Sequence, residues 1–197
     1  MVRAFGPAPV DPALITALCD LARRAPSAGN SQATEYLVLD DPEATARYWD
    51  ATLAPERRAG FRWPGLLAAP VLVLVAVRPG AYVERYAEPD KAATGLGAGA
   101  DAWPVPYWWV DAGAAAEHLL LGAVDAGLGA CLFGAFDHEG AVAAVFGVPE
   151  GWRLVATIAL GHPAIAGSDG DASSEPIGRS AGRPRPPIDQ VVHRNHW

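Results

Sequence analysis

Residues 71–77 read Val-Leu-Val-Leu-Val-Ala-Val, with no polar residue among them. A strand with one wet face alternates apolar and polar side chains, so an unbroken run predicts a strand covered on both faces. The fold must therefore supply a layer of structure on each side of this segment, and the rest of the chain has to provide those layers.

Helix signals flank the run. Asp11-Pro12 followed by Leu14, Ile15, Leu18 and Leu21 predicts a helix with an N-cap, a proline at its first position and apolar residues at helical spacing, ending before Pro26. Residues 36–39 form a short β-like run, and a second helix over 42 to about 49 begins with acidic residues, as its dipole prefers. Asp111 is expected to cap a long Ala/Leu helix through about residue 126, which Gly127 closes. Strands over 130–133 and 154–160 and a short helix over 141–146 follow. Residues 78–107 are rich in Gly, Pro and charge and too long for an ordinary connection, which predicts a lid or a partner-contacting excursion. The tail over 161–197 is interrupted by Pro163, Pro176, Pro184, Pro186 and Pro187 and is expected to be irregular. These elements predict a mixed α+β sandwich.

A chain of 197 residues accommodates one domain, residues 1–197. With 51% hydrophobic and 19% charged residues, it has enough apolar material for a core and a surplus suited to a subunit interface. The net charge of −7 repels polyanions, and the pairs Arg23-Arg24 and Arg57-Arg58 are too short to track phosphates, so nucleic acid is not an expected partner. Cys19 and Cys131 are too few for a disulfide framework. No signal peptide and no membrane-length apolar run is evident, so the expected location is cytoplasmic, without membrane association.

Three motif matches have better ordinary explanations. Gly95-Leu-Gly97-Ala-Gly-Ala100 fits the relaxed dinucleotide fingerprint but does not join a strand to a helix N-terminus. Gly178-Arg-Ser180-Ala-Gly182 fits the hydrolase nucleophile elbow without the strand and helix that strain such a serine. His193 and His196 stand at helical spacing near the chain end, where histidines are more often just solvated, so no metal is expected.

Arg23-Arg24-Ala-Pro26-Ser27-Ala-Gly-Asn30-Ser-Gln32 is a helix end running into a loop that offers backbone N–H groups, a hydroxyl and two amides. Such a loop suits a planar polar heterocycle, although Ser, Asn and Gly are also ordinary turn residues. The segment resembles the "APSxxNxQ" loop of the FMN-dependent nitroreductase family, and other segments resemble that family in the same order. Met1-Val-Arg3-Ala-Phe5 resembles the end of its N-terminal "RRSxRxF" element, and Asp111-Ala-Gly-Ala-Ala-Ala116 with Leu119-Leu-Leu121 resembles its dimer helix. Gly127-Leu-Gly129-Ala-Cys-Leu-Phe133-Gly134 resembles its "GLGxxxxG" strand, and Gly161-His162-Pro163 the end of its last core strand. The segment from Arg183 through His193 to Trp197 resembles its closing "RxRxPxxxVVHxxxW" tail.

The resemblance implies a nitroreductase-like α+β fold with a mixed central sheet flanked by helices, a homodimer with an extended C-terminal tail, and FMN held between subunits. It implies that Arg3, Arg183 and Arg185 meet the ribityl-phosphate end, where a guanidinium donates two parallel bonds to phosphate. Pro26, Ser27, Ala28, Asn30 and Gln32 would line the ring from the partner subunit, and Leu132, Phe133, Gly134 and Ala135 would present backbone to it. The family's tandem basic pair and first helix would precede Met1 and are expected to be missing. The tail arginines are therefore expected to carry most of the phosphate, with Arg3 contributing less from a terminus that must first be ordered.

The reaction implied is ping-pong transfer of hydride from NAD(P)H through the flavin to a nitroaromatic, quinone or other small conjugated acceptor, with the chemistry in the cofactor. Trp103, Tyr107, Trp108 and Trp109 either line a flat substrate or pack as core, with core or mixed use favoured. Alternatives are a natural-product flavin dehydrogenase, a deazaflavin-using reductase, or a binding or scaffold module that keeps the fold without the flavin.

Overall fold

A computed structural model of the chain describes residues 1–164 and 182–196. The chain divides into a first unit, Met1–Ile165, and a second, Ala166–Trp197. In the first unit, β1 (Thr34–Leu39), β2 (Val71–Val77), β3 (Gly129–Phe133) and β4 (Arg153–Gly161) form a sheet in the order β1-β2-β4-β3. The α+β class is as expected. All described pairings are antiparallel, where a mixed sheet was expected, because the strands that run the same way, β1 with β4 and β2 with β3, are never neighbours.

The apolar run over 71–77 is the inner strand β2, buried along its whole length. Its alternation sorts the core into two layers. Val71, Val73, Val75 and Val77 pack on one face with Ile15 and Leu18 of α1 (Pro12–Ala22) and Ala112 and Leu119 of α5 (Tyr107–Asp125). Leu72 and Leu74 pack on the other with Tyr48 and Trp49 of α2 (Pro42–Thr52) and Val142 of α6 (Glu139–Phe146). The hydroxyl of Tyr48 and that of buried Thr157 on β4 share a hydrogen bond of 2.9 Å, so neither is left unsatisfied in this apolar layer.

Local signals set the helix starts. Asp11 and Asp41 accept backbone N–H bonds from Ala13 and Ala44 at 2.8 Å each, with proline opening both α1 and α2. A single turn, α3 (Pro55–Arg58), follows α2.

Two expectations need correction. The helix predicted to begin at Asp111 begins at Tyr107, and Asp111 lies inside it and is buried. The excursion over 78–107 contains the unpredicted α4 (Pro79–Tyr86) and is anchored in the core rather than standing off as a lid. Trp103 packs against Tyr82, Tyr86 and Trp108 with ring centroids 5.9, 4.7 and 5.7 Å away, and its indole N–H donates to the Leu96 carbonyl at 3.0 Å. Of the glycines over 95–99, Gly97 serves this packing. A Cβ at Gly97 would lie 2.6 Å from the Ala87 backbone, so close crossing over the end of α4 requires glycine.

The second unit is described over 182–196, where a short 3-10 turn, Ile188–Gln190, is its only regular element among the described residues.

Removing the Trp103 side chain leaves a cavity under the excursion, so Trp103→Ala should destabilise the protein by about 3–5 kcal/mol. Urea unfolding followed by tryptophan fluorescence measures this; a loss below about 1 kcal/mol would show that the excursion is not anchored there.

Candidate functional site

The loop that joins α1 to β1 is built around left-handed residues. Gly29, Asn30 and Gln32 have φ of 63°, 56° and 48°. Asparagine tolerates this region better than glutamine, so Gln32 carries backbone strain that its surroundings must hold in place. Those surroundings are specific. Ser27 accepts the Gln32 N–H at 3.1 Å, Ser31 donates to the Ala28 carbonyl at 2.7 Å, and the Asn30 N–H donates to the Ser27 carbonyl at 2.8 Å.

Two contacts come from far along the chain. Ala28 N–H donates to Oδ2 of Asp111 on α5 at 2.7 Å, and the Tyr82 hydroxyl of α4 donates to the same oxygen at 2.9 Å. On the other side of the turn, Arg85 Nε donates to the Gly29 carbonyl at 2.9 Å, while Asp90 and Glu88 hold the rest of its guanidinium. Gly29 also packs against α4 so closely that a Cβ there would meet the Tyr86 ring at 2.6 Å.

Beneath the loop lies a cavity of about 130 Å³ bordered by Ser27, Gln32, Tyr36 and Asp111. The Tyr36 hydroxyl is buried without a hydrogen-bond partner among the described residues. Burial, reinforced by nearby Cys19, pushes its pKa up to about 12, and burial pushes the Cys19 thiol up to about 11. A larger cavity of about 200 Å³ beside α2, bordered by Thr45, Trp49 and Arg58, contains none of the residues expected to hold the cofactor.

The other expected groups lie across the sheet. β1 begins at Thr34 opposite Val77, which pairs with Arg153 at the start of β4, whereas β3 ends at Phe133 opposite Thr157, midway along β4. The loop before β1 lies at that end of the sheet, and the segment after β3 heads toward the same end from the opposite edge, starting further back along the strands. Three strand spacings of about 4.8 Å separate those edges by roughly 14 Å. Leu132 and Phe133 are half-buried, with Phe133 stacked on Trp49 at 5.8 Å. Gly134 faces the Phe136 ring, and Ala135 is buried. The Leu132 N–H donates to Met1 Sδ at 3.4 Å.

Arg3 lies on the β3 side, in an N-terminal arm that is tied down rather than frayed. Val2, Phe5 and Gly6 donate to the carbonyls of Ala130, Gly65 and His162 at 2.9, 3.2 and 2.8 Å, and Ala164 donates to Ala4 at 3.0 Å. The guanidinium groups of Arg3 and Arg62 lie 5.3 and 5.4 Å from the centroid of Trp63, and neither is ion-paired with a described residue.

The aromatic cluster is divided. Trp103 and Trp108 are only 7% and 6% exposed and belong to the core, whereas Tyr107 and Trp109 are 45% and 37% exposed. Arg183 and Arg185 belong to the second unit and are exposed. Ser180 and Trp197 lie outside the described residues. Among the described residues no group of three or more His, Cys, Asp and Glu is placed to hold a metal, and no helix is long and apolar enough to cross a membrane.

Sequence reasoning missed Asp111, Tyr82, Arg85 and Arg62. The available signal was Asp111 itself, a carboxylate in the apolar stretch Trp108-Trp-Val-Asp111-Ala-Gly-Ala, which requires either a helix start or a buried partner.

A family model, Nitroreductase family, matches residues 1–162. An uncharacterized 15.4 kDa protein of Mycolicibacterium smegmatis is 39% identical over 101 residues, covering 50% of this chain and 65% of that relative's length. Among solved structures, a nitroreductase family protein from Streptococcus pneumoniae superposes with a TM-score of 0.70 at 19% identity, covering 98% of this chain and 94% of that one. The hypothetical oxidoreductase YcnD from Bacillus subtilis gives a TM-score of 0.68 at 23% identity, covering 100% of this chain and 70% of that one. At these identities the structural likeness establishes the fold.

The thiols provide a test of how well this part of the molecule is sealed. With burial raising the pKa of both Cys19 and Cys131, both should be protonated at pH 8 and react slowly with a disulfide reagent until the protein is unfolded. The raised Tyr36 pKa means the folded state keeps a proton that the unfolded state loses from about pH 10, so this contribution to stability is intact below pH 10 and declines from there towards 12. Rapid labelling of either cysteine in the native protein at pH 8 would contradict this burial.

Proposed function

The chain belongs to the nitroreductase family, and from that premise we propose that it is an FMN-dependent oxidoreductase that works as a homodimer. The observation that carries this reading is the loop over 26–32, whose strained turn is held by buried contacts while Asn30 and Gln32 remain exposed. Their amides can donate and accept at the ring carbonyls and nitrogens of an isoalloxazine. On the other edge Gly134 is covered by the ring of the exposed Phe136, which would have to turn aside for a flavin to reach the main chain, and Arg3 and Arg62 bring positive charge without a described counter-ion. This donor set fits a flavin.

When bound, FMN supplies the hydride transfer between NAD(P)H and a nitroaromatic, quinone or other conjugated acceptor. The protein's task is binding, orientation and control of access. Pro26, Ser27 and Ala28 would border the ring beside Asn30 and Gln32, while Leu132, Phe133 and Ala135 would face it with backbone. Tyr107 and Trp109, as the exposed members of their cluster, would be available to a flat acceptor, whereas Trp103 and Trp108 are committed to packing.

The two sets lie on opposite sheet edges, roughly 14 Å apart across the strands and further displaced along them, and we infer that one ring is lined by sets from two copies. A second copy would bring its loop to the first copy's β3 edge. The outer face of α5 supports this arrangement, since Tyr107, Val110, Leu121 and Val124 are exposed while Trp108, Ala112, Ala115, Leu119 and Ala123 face the core. Apart from Glu117 and Asp125 this outer face is apolar and calls for cover. The C-terminal segment, with exposed Ile188, Val191 and Val192, is proposed to contribute to the same contact.

Because the arm carrying Arg3 is already ordered, the expectation that Arg3 contributes less than the tail arginines loses its basis. Arg3→Ala, Arg183→Ala and Arg185→Ala should each weaken FMN binding about ten- to a hundredfold and riboflavin binding far less, if all three meet the phosphate. Fluorescence titration with both ligands measures this, and equal losses for the two would remove the phosphate assignment. Light scattering should give a dimer at micromolar concentration, and Leu121→Glu should produce monomers that no longer retain FMN. A colourless protein that takes up no added FMN would overturn the enzyme reading.

A further inference from the structure

We propose that Asp111 is a positioning residue for the flavin, acting through the loop over 26–32 without touching the ligand. The inference rests on the reading of that loop as flavin-lining. Asp111 is 7% exposed in a helix whose inward neighbours are Trp108, Ala112 and Ala115. Burying a carboxylate among such side chains is unfavourable unless hydrogen bonds compensate for the lost water. Both compensating donors lie elsewhere in the chain, the Ala28 N–H 83 positions away and the Tyr82 hydroxyl 29 positions away.

The geometry has a directional consequence. Oδ2 receives both bonds, so α5 and α4 meet at a single atom, and the backbone of Ala28 is fixed relative to both helices. One peptide further on, Arg85 fixes the Gly29 carbonyl from α4, and Asp90 in turn grips Arg85 with bonds of 2.8 Å to both terminal nitrogens. The loop is thus tethered at a donor and an acceptor on successive residues. Asn30 and Gln32 project from a backbone already set in its left-handed conformation, which a free loop would rarely occupy. A tether of this kind lets flavin bind without first ordering the loop.

Asp111→Ala should weaken FMN and riboflavin together, by about ten- to a hundredfold, because the loop meets the ring that both share. That pattern differs from a phosphate-contact mutant, which spares riboflavin. Asp111→Asn keeps an acceptor oxygen at the same place and should restore both affinities to within about threefold. Tyr82→Phe, which keeps its ring in the core, removes one of the two donors and should cost about three- to tenfold even if Asp111→Ala folds poorly. Hydrogen exchange without ligand should show Ala28 amide protection lost in Asp111→Ala and retained in Asp111→Asn, and the visible band of bound FMN should shift in the alanine variant.

Natively folded Asp111→Ala with unchanged FMN and riboflavin affinities would overturn the proposal, as would Asn failing to rescue. Wild-type protein that takes up neither flavin would instead overturn the reading of the loop as flavin-lining, and the exchange data alone would then decide whether the tether exists.

Discussion

The burial of β2 on both faces is the constraint from which the first unit follows. A strand with Val71, Val73, Val75 and Val77 on one side and Leu72 and Leu74 on the other cannot be placed at a surface, so each face recruits its own pair of helices. With the sheet interior given over to apolar packing, polar chemistry is confined to the strand ends and the two edges. The loop before β1 and the segment after β3 are such places, and their separation across β2 and β4 is a direct consequence of the sheet order.

The same constraint shapes α5. Its inner residues Ala112, Ala115, Ala116 and Ala123 are small, which brings the helix close to the sheet. This close helix places Asp111 beneath the loop, where it meets Ala28 from one side and Tyr82 from the other. Two non-glycine residues in left-handed backbone cost of order 1–3 kcal/mol each, so they persist only where neighbouring bonds over-determine them. Asp111, Arg85 and Ser27 supply those bonds, which links the core helix, the excursion and the loop into one structural unit.

Much of the fold was legible because its signals are local. Capping aspartates with a following proline mark α1 and α2, a continuous apolar run marks β2, and an apolar run broken by Thr157 marks β4. What was not legible depends on contacts distant in sequence. Asp111 has the composition of an N-cap, and only the packing of Trp108 one turn earlier moves the helix start to Tyr107. The helix α4 begins at Pro79-Gly80 and sits in a segment whose glycines and charges resemble loop, so its Tyr82 and Arg85 gave no sign that they hold another segment. Of the candidate site, the loop over 26–32 was recognisable by its residue types and its family resemblance, whereas the supports beneath it were not.

The arm over 1–6 shows why exposure and order must be weighed separately when assigning charge to a site. Arg3 has an exposed side chain on a chain terminus, which would normally mean a residue that loses conformational freedom on binding and returns little affinity. Its backbone neighbours, however, are bonded to Ala130, Gly65 and His162, and Phe5 is buried with its bridge partner Pro163 alongside. The entropy of fixing this segment is therefore met by folding itself, through contacts that do not involve the ligand. Only the rotamers of Arg3 remain to be ordered, and stacking over Trp63 already restricts them. With Arg62 at a similar distance from the same indole, two guanidinium groups gather at this edge, which raises its attraction for an anion.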